Sequence, residues 1–327
     1  MLCAHCDPGW QPMWNRLDDL QRRHPALGFP IAVLYKYIDD QGGYLAALIT
    51  YYGFLSLFPL LLLAVTILGY LLQSDPGLQA KILDSALREM PVLGDQLREN
   101  VRSLHGSGSA LVTGALVALY GVLNGSTAVQ SALDRIWGVP RYRRPDPFTA
   151  RLRGLLLLGV LGLGLLATTA VSELPSHGLL AVVTVVAAVA VNTGILLAAY
   201  KLLTVRTVGL RDLWIGAAVA AVAWQVLQTV GGYYVRHELA GAGQVYGVFG
   251  IVLGLMAWVY LGAVIVLMSA EINAVRVDRL WPRSLLTQFT DDVELTQGDR
   301  RSYESYAQTE RHKGFEQVDV RFHDRDG

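Results

Sequence analysis

Charge is what this sequence has least of. Lys, Arg, Asp and Glu make up 17% of the 327 residues, against 53% hydrophobic, where soluble proteins carry about 25% charged residues. So apolar a chain is neither disordered nor collagen-like. Cysteine is nearly absent: Cys3 and Cys6, in Cys3-Ala4-His5-Cys6, are the two present. A four-coordinate zinc site needs a second such pair, and a reducing compartment disfavours a disulfide, so the spacing argues for neither a metal nor a redox role. Histidines occur at His5, His24, His105, His177, His237, His312 and His323 without H-x-H or H-E-x-x-H spacing, which argues against a metallohydrolase and against haem held between helices. No G-x-x-x-x-G-K-[ST] run supplies a phosphate cradle. No cofactor is implied, and a net charge of zero gives no footprint for nucleic acid.

What the sequence does have is six blocks free of Asp, Glu, Lys, Arg and His: Tyr44 to Leu72, Ser109 to Leu133, Gly154 to Ser172, Gly178 to Tyr200, Leu213 to Val235 and Leu239 to Ala270. At about 1.5 Å per residue the shortest reaches roughly 28 Å, close to the thickness of a hydrocarbon core. Backbone groups in lipid must pair within their own segment, and the Leu, Ala, Val and Gly composition without strand alternation makes helices the solution. The expected fold is an all-α integral membrane protein of six transmembrane helices. No basic n-region, short apolar core and small-residue cleavage site precede Tyr44, so the first block is expected to stay as a span.

Orientation follows from the basic residues between blocks. One set of connections carries Arg16, Arg22, Arg23, Lys36, Arg135, Arg141, Arg143, Arg144, Arg151, Arg153, Lys201, Arg206, Arg211, Arg276, Arg279 and Arg283; the other carries Lys81, Arg88, Arg98, Arg102 and Arg236. Sixteen against five places both termini in the cytoplasm.

Three regions flank or interrupt the spans. In residues 1–43, Ile31, Leu34, Tyr35 and Ile38 recur at helical spacing after Pro30 while Lys36, Asp39 and Asp40 fall elsewhere on the wheel, which predicts a helix lying on the cytoplasmic interface. The transmembrane domain is expected over 44–272, with an outer amphipathic hairpin at about 76–105, built on Leu78, Ile82 and Ala86 and on Leu93, Leu97, Val101 and Leu104. Residues 273–327 are hydrophilic, with charges of both signs, and are expected to be largely disordered.

Polar groups inside spans carry most of the functional information, because an unpaired amide or hydroxyl in hydrocarbon costs several kcal/mol. Tyr51, Tyr52, Ser56, Asn124, Gln130, Asn192, Gln225 and Gln228 are expected to face inward, either lining a polar cavity or joining helices by hydrogen bonds. Pro59 frees the carbonyl of Leu55 and predicts a kink in the first span. Gly121 and Gly125, one turn apart, predict close helix packing. At the inner face stand Asp134, Arg135, Arg153, Glu271 and Asn273, with Arg135 or Arg153 the expected partner of Glu271.

Three stretches carry a resemblance. Ala46-Ala47-Leu48-Ile49-Thr50-Tyr51-Tyr52-Gly53-Phe54-Leu55-Ser56-Leu57-Phe58-Pro59 opens the first span, Ala132-Leu133-Asp134-Arg135-Ile136-Trp137 ends the second, and Tyr246-Gly247-Val248-Phe249-Gly250, Trp258-Val259-Tyr260-Leu261 and Ser269-Ala270-Glu271-Ile272-Asn273-Ala274 mark the last. Together these resemble the YihY/BrkB family of bacterial inner-membrane proteins, formerly labelled ribonuclease BN, over roughly residues 30–283. Two departures stand out: the family usually has Gly where Ser269 stands and Asn where Asp134 stands. The resemblance implies a six-helix inner-membrane protein with both ends cytoplasmic but no established activity, members of the family having carried ribonuclease, virulence or serum-resistance, and envelope-lipid-handling labels. With the polar groups inside the spans, it leads to the expectation of a translocator of lipid or another amphiphilic solute, with membrane lipids as partners and no catalytic residue. A scaffold docking envelope proteins is the alternative, and a membrane ribonuclease is disfavoured.

Overall fold

The computed structural model describes residues 18–71, 77, 108–172, 179–234, 240–288 and 293–322. The Cys3/Cys6 pair and, but for Gly77, the outer hairpin lie outside the described residues. Within them the regular elements are all helical: α1 (Pro25–Asp39), α2 (Gly42–Leu71), α3 (Gly108–Ile136), α4 (Pro147–Ser172), α5 (Leu179–Leu203), α6 (Leu210–Tyr234), α7 (Ala240–Asp278) and α8 (Gln297–Thr309), with single 3-10 turns at Arg141–Arg143 and Leu285–Gln288.

Five helices hold a stretch long and apolar enough to cross a bilayer: Gly114–Ile136, Pro147–Val171, Val182–Leu203, Leu210–Gly231 and Val252–Asp278. A sixth helix, α2, is 30 residues long and runs on through Pro59. Its apolar stretch is Gly42–Leu57. The six helices form a ring in chain order, each packed on the next, and α7 closes it against α2. Large apolar side chains such as Leu116, Leu163, Val182 and Val186 point outward and are exposed, as they are where lipid and not water surrounds a bundle.

Small residues make the interior. Ala46, Ala132, Ala217, Ala263, Ala270 and Ala274 are buried among Leu133, Leu213 and Leu267, so backbones approach closely. At Gly121 a Cβ would sit 2.5 Å from the Cβ of Ser56, and at Gly125 it would sit 3.5 Å from that of Tyr52, so the small-residue pair packs α3 on α2 as its spacing predicts. Gly121→Val is therefore expected to cost about 1–3 kcal/mol through overpacking, read as a lower thermal unfolding midpoint in detergent, while the same change at Gly159, where nothing lies within 4 Å, should be tolerated.

Helix ends follow local chemistry. Gly138 adopts φ +61° just past α3, and Val139 N–H donates to the Asp134 carbonyl at 2.8 Å, a left-handed stop that suits glycine. Asp146 starts α4 by accepting from Thr149 Oγ1 at 2.7 Å and from the N–H groups of Phe148 and Thr149, both at 3.1 Å. These bonds, those of Thr149 foremost, hold its carboxyl below the usual range.

The tail departs from expectation. After α7 the chain turns back beneath the bundle and packs against α1 and residues 18–21, and Arg283, Ser284, Asp299 and Ser302 are buried there. Thr296 and Asp299 cap α8 reciprocally. Segments from both ends of the described chain thus share one end of the ring, termed here the base.

Candidate functional site

The described polar residues of the spans take separate partners. Tyr51 points outward, 58% exposed, correcting its inward assignment, and its ring meets that of Tyr52 edge-on at 5.2 Å. Ser56 is buried against Gly121 and donates to the Gly53 carbonyl at 3.0 Å. Asn124 donates to Tyr120 O within its own helix at 2.7 Å. Gln130 donates to Ser126 Oγ at 3.0 Å and to Ala150 O at 2.9 Å, tying α3 to the start of α4. Gln225 and Gln228 are half-buried on α6. Ser56, Asn124 and the Gln130 amide nitrogen are thus engaged by hydrogen bonds within and between helices.

Asn192 lines a recess. A cavity of 290 Å³ opens between α4, α5, α6 and α7, walled by Leu161, Leu165, Ile195, Leu196, Trp224 and Ile265, with Thr168 and Asn192 as its polar side chains. Leu161 is half-exposed on the outward surface, so the recess faces the side of the bundle and not its axis.

The base is where charge is concentrated. Lys36 is buried, although its place on the helical wheel predicts an outward face, while Leu34 and Ile38 of the apolar stripe are about half-exposed. Lys36 Nζ donates to Asp40 Oδ2 and lies 3.5 Å from Glu271 Oε2. Glu271 therefore pairs with Lys36 and not with Arg135 or Arg153. Arg153 faces Asp134, as does Arg144, while the Arg135 backbone carbonyl accepts from Gly138 N–H. Burial alone would depress the Lys36 ammonium, but Glu271 and Asp40 beside it raise it above its ordinary value.

Next to this triad, Arg283 has no exposed surface and forks across three partners: Nε to Asp299 Oδ1 at 2.6 Å, Nη1 to Ser302 Oγ at 3.1 Å and Nη2 to Asp39 Oδ2 at 3.1 Å. Asp39 also accepts from Gln288 at 2.7 Å and from the Tyr306 hydroxyl at 3.2 Å. Burial, reinforced by Asp40 and Asp39, pushes the Tyr306 phenol far above its usual range. Asn273 is fully buried and clamps α7 to α6, accepting from Gly216 N–H at 2.9 Å and donating to Leu213 O at 3.0 Å. Ser269, where the resemblance leads one to expect glycine, shares a hydrogen bond with the buried Tyr200 hydroxyl.

A second cavity, of 550 Å³, lies at the base between the end of α3, the α5–α6 connection, the end of α7 and α8, lined by Trp137, Arg143, Arg206, Asp278, Arg301 and Glu304 among others. Arg206 binds Asp278 through both nitrogens at 2.7 Å and stacks at 5.5 Å over Trp137. Among the described residues no group of three or more His, Cys, Asp or Glu side chains is placed to hold a metal.

A chain-ordered ring of apolar helices ending in a buried basal charge cluster fits the comparison with known families, in which the profile described as Virulence factor BrkB matches residues 33–286. The chain belongs to the BrkB family. It is accordingly a membrane protein, and the matched region runs from α1 to the 3-10 turn that follows Arg283. Among curated relatives, the "Putative ribonuclease-like protein YfkH" of Bacillus subtilis (strain 168) is 26% identical over 258 residues, covering 73% of this chain and 91% of its own. "Inner membrane protein YhjD" of Escherichia coli (strain K12) is 29% identical over 106 residues, 32% of each chain. No solved structure matches significantly.

Lys36, Asp39, Asp40, Arg283 and Asp299 were not singled out as site residues by sequence. The reciprocal Thr296 and Asp299 spacing was a readable cap signal for α8; the pairing of Lys36 with Glu271, 235 positions apart, left no local trace.

Proposed function

We propose that this BrkB-family protein translocates a lipid or another amphiphilic solute across the bacterial inner membrane, as a six-span bundle with both termini in the cytoplasm. The observation that carries the reading is the lateral recess between α4, α5, α6 and α7: its apolar wall suits an acyl chain, and Thr168 and Asn192 offer hydrogen bonds where the chain meets a polar group. The basal cavity with Arg143, Arg206 and Arg301 supports an anionic head group, since basic residues near a membrane surface attract such lipids by about 1 kcal/mol each. The excess of Lys and Arg on the basal connections supports a cytoplasmic base.

The test is reconstitution. Purified protein in liposomes is expected to accelerate redistribution of a fluorescent phospholipid between leaflets. Thr168→Phe, which fills the recess, and Asn192→Leu, which removes its amide, should each slow it severalfold while the protein stays monodisperse. Equal rates with and without protein would defeat the reading.

A further inference from the structure

Where α1 ends against α7, two buried carboxylates meet one ammonium. Lys36, Asp40 and Glu271 have side chains no more than 4% exposed. Apart from the 3.5 Å approach of Lys36, Glu271 has no polar support among the described residues: neither of its carboxylate oxygens has a hydrogen-bond partner there, and Asp40 Oδ1 has none either. The Asp40 and Glu271 carboxyl groups face each other.

The surrounding charges do not balance this pair. From the tail, Arg283 is engaged by Asp299 and Asp39. Asp39 is satisfied by Arg283, Gln288 and Tyr306 and is partly exposed. Asp18 is matched by Arg22 at 2.7 Å. The phenol of Tyr37 on α1 faces Glu271, and Tyr306 of α8 lies 5.6 Å from the Lys36 ammonium; both are neutral. Once Lys36 is assigned to Asp40, Glu271 remains as a buried negative charge that no further cation among the described residues offsets. A charge so placed neutralises before it is tolerated.

We infer that Asp40 and Glu271 share one proton at neutral pH, making Lys36, Asp40 and Glu271 a proton-binding site at the basal end of the last span. A proton on Glu271 turns that carboxyl into a donor toward Asp40, so oxygens on both residues gain a partner and the triad becomes neutral. A sodium or potassium ion fits less well, because it needs a shell of several oxygens and the described residues bring only these two carboxylates to the spot. Loss of the proton places a second full negative charge between α1 and α7 and drives them apart. The ligand is thus a proton, and its exchange is coupled to the seam that joins the first helix to the last span. This holds whether or not a solute crosses the bundle.

Infrared difference spectroscopy of the purified full chain in lipid nanodiscs tests the assignment. At pH 7 a protonated-carboxyl C=O band that shifts in D2O is expected. It should be lost in Glu271→Gln, which removes the group, and in Asp40→Asn, which leaves Lys36 to neutralise an ionised Glu271. Either variant alone suffices should the other fail to fold. Absence of the band in the unmodified protein overturns the inference, as does a band that survives both substitutions. A band that appears only when sodium and potassium are replaced by choline assigns the site to a metal cation and overturns it equally.

Discussion

Replacing Arg283 with Met is expected to detach the tail from the bundle, with a loss of about 3–5 kcal/mol, the usual cost of removing one partner from a buried ion pair. The guanidinium touches α1 through Asp39 and α8 through Asp299 and Ser302, so its removal leaves Asp299 buried beside Ser284 without a cation. Burial disfavours the charged form of Arg283, but Asp299 and Asp39 outweigh burial and raise it further, so the cation persists at every working pH. The readout is limited proteolysis: cleavage between residues 284 and 322 should become rapid while the membrane helices stay protected. Arg283→Lys should give an intermediate result, since an ammonium keeps the charge but not the planar fork. Unchanged protection in Arg283→Met would mean that the tail is held by other contacts.

Lys36→Met is expected to be nearly as damaging, again about 3–5 kcal/mol, because it strands Asp40 and Glu271 together in a buried site. Adding Asp40→Asn to Lys36→Met should recover most of the loss, since one carboxyl that holds its own proton is neutral. Double-variant thermal midpoints in detergent check this, and a double variant no more stable than Lys36→Met alone would contradict it. The pH dependence has a definite sign. Lys36 titrates above its ordinary 10.5 in the folded protein, so its contribution is fully present below that value and is lost only as pH rises through the raised one. Alkaline titration up to about pH 10 should leave this ion pair intact.

The membrane helices were legible in the sequence because lipid imposes a simple rule: runs without charge long enough to span. Their ends were less so. The uncharged block that became α7 stops at Ala270, yet the helix continues to Asp278, since Glu271 and Asn273 lie inside protein and not in water. Lys36 was misplaced for the same reason, as a helical wheel assigns every charge to solvent unless its partner is known, and Glu271 is far away in sequence. The eight polar residues expected either to line a cavity or to join helices were identified by composition alone, which registers that a group needs a partner but not whether its own helix supplies one. Asn124, bonded to Tyr120 O, is the plainest case. The tail was hidden by its low apolar content, because Arg283 and Asp299 hold it by a fixed geometry that hydrophobic patterning does not register.

The length of α7 has a mechanical consequence. At 39 residues it is a rod of about 58 Å, nearly twice the roughly 30 Å of hydrocarbon it has to cross. A tilt of about 10° around its midpoint swings each tip by about 5 Å, more than the reach of a hydrogen bond. The lower tip carries the docking points of both α1 and the tail, so a small rocking of this one strut in the bilayer is amplified into making or breaking contacts far below it.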